Sequence, residues 1–74
     1  MKVNLGTLTS DQFAAILAPT KLASSTSGAV TVVSLGADCI YLAFDGATMW
    51  IIKTNIIEAF DTPAFWANIT AALA

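Results

Sequence analysis

The sequence predicts a small α+β domain: a three-stranded antiparallel meander packed by an N-terminal and a C-terminal helix. Three observations carry that expectation. Helix-start chemistry stands near both ends of the chain, at Thr9 and at Thr62-Pro63. Between them, residues 29–53 are rich in β-branched and large apolar types, broken only by short Gly-containing turns. A length of 74 residues makes one domain, 1–74, with no room for a second core.

At the N-terminus, Val3 and Leu5 alternate with Lys2 and Asn4, which suits a short edge strand closed by Gly6. Thr9 then opens a helix. Gln12, three residues on, completes a capping box, and Leu8 is placed to staple against Phe13. Phe13, Ile16 and Leu17 form the apolar side, and Pro19 stops the helix near Ala18. Residues 20–28 are small and hydroxylic, the composition of a solvated loop or of an arm lying on a neighbouring subunit.

Strands are expected at 29–35, 39–44 and 47–53. Asp45-Gly46 reads as the central pair of a two-residue type I′ hairpin loop, and 36–38 as a three-residue loop. The first of these would pair Phe44 with Ala47 and set Asp38 opposite Lys53. Asn55 and Glu58 would cap a short helical segment carrying Ile56, Ile57 and Phe60. Thr62 caps the last helix, with Pro63 at its first position and Phe65, Trp66, Ile69 and Leu73 as its stripe.

That register gives the meander two apolar faces. One carries Val30, Val32, Ile40, Leu42, Phe44, Met49 and Ile51, and the helices are expected to cover it. The other carries Val33, Leu35, Cys39, Tyr41, Ala43, Trp50 and Ile52 with two Thr and no charge. A solvated face of an antiparallel sheet should be polar. Val33, Tyr41, Trp50, Leu35 and Ile52 are therefore the expected protein-contact surface, with aromatic residues of the types that dominate interfaces at its centre.

Composition points the same way. The chain is 57% hydrophobic and only 11% charged, with no His. An ordinary domain has about 25% charged residues. The three Lys are scattered, and the net charge of −2 leaves no basic patch for nucleic acid. Without His, with Cys39 alone and with each acid placed at a turn or cap, no catalytic or metal-ligating constellation assembles, and no cofactor is expected. Residues 28–52 are long enough to span a bilayer, but Asp38 and Asp45 interrupt them, each costing about 2.5–3.5 kcal/mol at a span's centre. Asn68-Ile69-Thr70 matches a glycosylation sequon by chance within a helix.

Met1 is followed by no signal-peptide core, so the sequence reads as a complete, short product made in a cytoplasm. The function expected is non-enzymatic and structural. The chain would be a subunit contacting copies of itself or a larger capsid or tail protein, as in a bacteriophage capsid-decorating or tail-associated protein of the virion. The alternative is a small acidic inhibitor or adaptor docking on one host protein.

Overall fold

The computed structural model describes residues 2–36, 39–53 and 58–74. Its elements are β1 (Lys2–Thr7), α1 (Ser10–Leu17), β2 (Ser24–Ser27), β3 (Val30–Ser34), β4 (Ile40–Phe44), β5 (Thr48–Lys53) and α2 (Pro63–Leu73). The five strands form one antiparallel sheet in the order β1-β5-β4-β3-β2. The fold is α+β, and the expected meander is its centre, widened by a strand on each side. The edge strand at Lys2–Thr7 is present beside β5. The 20–28 segment is not wholly a loop, because Ser24–Ser27 pairs with Val30–Val33 as the opposite edge.

Both helices start where their caps lie. Thr9 Oγ1 accepts from the Gln12 N–H at 3.1 Å, and Gln12 Oε1 accepts from the Thr9 N–H at 2.8 Å. Leu8 packs beside Phe13 as a staple should. In α2, Thr62 Oγ1 accepts from the Phe65 N–H at 3.2 Å, with Pro63 following in the first turn. Asn55, Ile56 and Ile57 lie outside the described residues. Glu58 and Phe60 belong to no helix.

The two hairpins of the meander differ in register from the sequence expectation, with unequal consequences. In β4–β5, Phe44 pairs with Met49 and Ile40 with Lys53. Asp45 therefore precedes the central pair, which is Gly46-Ala47, with only Gly46 at positive φ, +97°. The Asp45 carboxylate accepts the N–H groups of Ala47 and Thr48 at 2.9 and 2.8 Å. That local bonding draws Asp to the position before the turn's centre. The shift is two residues, so each side chain keeps its face. Lys53 is not set opposite Asp38, which itself lies outside the described residues.

In β3–β4 the loop holds four residues rather than three. The Leu35 N–H donates to Ile40 O at 3.0 Å, and Cys39 takes φ +54° inside the loop. This one-residue slip turns β3 over relative to β4. Val33 now stands beside Leu42, and Val32 beside Ala43.

The helices cover opposite faces, not one. Phe13 of α1 packs with Val33, Leu42 and Phe44, its ring stacked on Phe44 at 4.5 Å. Phe65 and Ile69 of α2 pack with Val32, Tyr41, Ala43 and Ile52. Connectivity explains the division. The link from β1 to β2 joins the two edges, so α1 has to cross one face, and the chain leaving β5 takes the other. On the α2 side, Phe65 meets Tyr41, Phe60 and Trp66 edge-on at 4.9–5.7 Å. These are favoured aromatic arrangements.

Candidate functional site

The five residues expected to form a contact surface do not share an exposed face. Val33 is fully buried under α1. Tyr41 and Ile52 are buried under α2. Trp50 is half-buried, with the Lys2 ammonium 5.7 Å above its ring. Leu35 is exposed, at 39%. The expected face fails on two counts: the register slip moves Val33 to the other side, and each face has a helix of its own. Burial raises the Tyr41 phenol above its ordinary range, with the nearby Cys39 adding to the effect.

The outward surface is nevertheless poor in charge. The total accessible area, 4449 Å², is what a folded monomer of this mass exposes, about 4300 Å². The fold thus hides an ordinary amount of surface, and the chain's excess of apolar and small residues stays outside. Val3, Leu5, Ile16, Leu22 and Leu35 are 39–50% exposed. By register, Val3 lies beside Ile51 and Leu35 beside Ile40, all on the face that α1 covers only in part. Helix α2 carries no charged residue, and Ala64, Ala67, Asn68 and Ala71 face outward. A surface helix normally carries charge on that side.

Several of the charges that exist are spent within the chain. Lys2 Nζ donates to Leu73 O at 3.1 Å, at the negative end of α2. Asp45 is held by its own turn. Glu58 Oε2 accepts from Asn68 Nδ2 at 2.7 Å, and Asp61 accepts from Ser25 and Trp66. Bonds from Ser25 and then Trp66 hold the Asp61 carboxyl below the usual carboxylate range. Asp45 is held low in the same direction, by the Thr48 and Ala47 N–H groups.

A shallow groove of about 510 Å³ lies between the start of α1 and the β4–β5 turn, bordered by Leu8, Thr9, Gln12 and Ala47. Its polar groups already serve one another through the capping box, and the Leu8 N–H donates to Ala47 O at 2.9 Å. Among the described residues, no group of three or more His, Cys, Asp or Glu could hold a metal ion. Among them too, no helix is long and apolar enough to cross a membrane; the apolar run at 28–52 is largely sheet.

The outer face of α2 was readable as Ala64, Ala67 and Ala71 at helical spacing, yet attention to large residues passes over it. The Ser25–Asp61–Trp66 cluster has no sequence signal, because 36 residues separate Ser25 from Asp61. Comparison of the chain with protein-family models, with curated proteins and with solved structures finds no match.

Proposed function

We propose that this chain is a non-enzymatic structural subunit that works by packing against protein, first of all against copies of itself. One observation carries the reading: Val3 and Leu35, on the α1 face by register, and Ile16 of α1 stay 39–50% exposed in a fold that already buries a normal share of its surface. Monomers seldom leave such residues clustered in water. Helix α2, which contributes no charged side chain of its own, supports it, since depletion of charge marks the centres of interfaces. The contact surface proposed is Val3, Ile16 and Leu35 with the half-buried Ile40 and Ile51, bordered by Lys53 opposite Ile40.

The setting we propose is a many-copy shell such as a virion, with the chain decorating a bacteriophage capsid or associated with its tail. Small size and low charge support that setting by analogy. A subunit in such a shell has neighbours on several sides, which fits apolar or uncharged surface on more than one side of the sheet.

Sedimentation and native mass of the purified chain test the reading. A concentration-dependent oligomer is expected, and Val3→Lys or Ile16→Lys should return it to monomer while leaving thermal unfolding nearly unchanged. A chain that stays monomeric up to millimolar concentration, or an oligomer that survives both substitutions, overturns it.

A further inference from the structure

We propose that Asp61 is the lock of an acid-sensitive clasp that holds the edge strand β2 against helix α2. The inference concerns how the sheet edge is kept closed, and it stands whether or not the chain self-associates.

The geometry is specific. One carboxylate oxygen, Asp61 Oδ1, accepts from two parts of the chain at once. Ser25 Oγ donates to it from the middle of β2, and Trp66 Nε1 donates to it from α2 at 3.0 Å. Ser25 sits opposite Val32, on the α2 side of the sheet, so its hydroxyl faces the helix. Asp61 itself adopts φ +63°. Asp is among the few non-Gly residues that take this conformation readily, and it sets the carboxylate between its two donors.

Strand β2 needs such a device. It is four residues long, Ser-Ser-Thr-Ser, and has a ladder on one side only. It buries no apolar side chain. Beyond the ladder it has the Thr26–Thr31 hydroxyl contact at 2.9 Å and the Ser25 bond to Asp61. Without the clasp, a short ladder and the Thr26–Thr31 contact are the ties described between β2 and the Val-rich edge of β3, and local opening has little to oppose it.

Charge gives the clasp its pH dependence. Both donors favour ionised Asp61, and bonds to an ionised acceptor are roughly twice as strong as neutral ones. The clasp is closed above the ordinary aspartate range, about 4. It opens as pH falls through the lowered value of the folded state. β2, β3 and α2 hold no Asp, Glu, Lys, Arg or His, and among the described residues the cation placed against α2 is Lys2, bonded to Leu73 O at the far end of the helix. Glu58 is occupied by Asn68, and Tyr41, beneath α2, is held above its ordinary range by burial.

Amide hydrogen exchange on the full chain tests this. The Ser34 N–H donates to Ala23 O at 2.8 Å and reports the β2 side of β3. The Leu35 N–H, bonded to Ile40 O, reports the β4 side. Two variants are compared with the parent at one neutral pH. Asp61→Asn keeps the shape and removes the charge; Asp61→Gly removes the acceptor at a residue type that takes positive φ freely. Asp61→Gly should speed Ser34 exchange by about tenfold, the effect of losing a hydrogen bond to a charged group, Asp61→Asn, whose amide oxygen still accepts, by about threefold, and both should leave Leu35 exchange unchanged. The Trp66 indole N–H resonance, assigned with Trp50→Phe, should move with Asp61 titration below pH 4. Parental protection of Ser34 in Asp61→Gly overturns the clasp. Parental protection in Asp61→Asn, or a stationary Trp66 resonance, overturns its acid sensitivity. Equal acceleration at Ser34 and Leu35 shows global unfolding and also overturns it.

Discussion

Val33→Ala separates a core valine from a contact valine, and so tests the four-residue β3–β4 loop. In the structure Val33 is 0% exposed and packs with Phe13, Leu42 and Phe44. With a three-residue loop it would lie on the other face, beside Tyr41. The substitution removes two methyl groups, worth about 0.8 kcal/mol each in transfer. The cavity left beneath α1 raises the cost to about 2–3 kcal/mol, because the short helix can collapse only partly. A chain of this length is stable by about 4–11 kcal/mol, so the loss is a large fraction of the whole. For a domain of 60–100 residues each kcal/mol lowers Tm by about 4–8 °C, which predicts a drop of roughly 10–20 °C. Leu35→Ala is the comparison. Leu35 lies two residues further along the same side of the strand and is 39% exposed, so it should lose less than half as much. Circular dichroism melting of the dilute, monomeric chain reads both. Equal shifts for the two variants would refute the register and the burial argued from it.

Thr62→Ala removes the acceptor of the Phe65 N–H and should cost about 1 kcal/mol, measured by urea unfolding, with the fold retained. Gly46→Val forces a β-branched residue to φ +97°, where no atom lies within 4 Å of the new Cβ, so the cost is backbone strain alone, about 1 kcal/mol or more. An unchanged melting midpoint would contradict that turn. Stability should fall as pH drops from 5 toward 2, because the folded chain holds Asp45 and Asp61 below their usual range and the unfolded chain binds their protons first. Asp45→Asn should lower stability at neutral pH and flatten that acid limb; an equally steep limb would show that the Ala47 and Thr48 bonds do not matter.

The parts of the fold legible in the sequence are those set by local bonding. Thr9 with Gln12, and Thr62 with Pro63, fix their helix starts through groups three residues apart, and both stand where expected. What was not legible depends on loop length. Gly36 and Cys39 both take positive φ in the β3–β4 loop. Cys gives no warning of that conformation, so one extra loop residue went unseen and carried Val33 across the sheet. Strand β2 was hidden by its composition, since Ser and Thr serve a loop and an edge equally well. A signal was present nonetheless. Gly28-Ala29 and Gly46-Ala47 each separate two paired strands, and each Gly takes positive φ. A Gly-led pair between two extended runs marks both hairpins, including the one with a polar arm.

The charge deficit that first pointed to a partner takes a different form in three dimensions. A single uncovered sheet face would have to be masked by one large contact. Here each face has its helix, and the deficit is spread over the outside. Exposed Ala14, Ala15, Ala64, Ala67 and Ala71 take helix positions that charge would normally hold. Lys2, Asp45, Glu58 and Asp61 stay at the surface but are bonded to a helix end, a turn and neighbouring side chains. Such a surface offers little long-range attraction or repulsion, so encounter gains no electrostatic steering. The self-association proposed above would then depend on shape and on the removal of apolar side chains such as Val3 and Leu35 from water, which weakens little with added salt. In the proposed many-copy setting, each such contact need contribute only modestly.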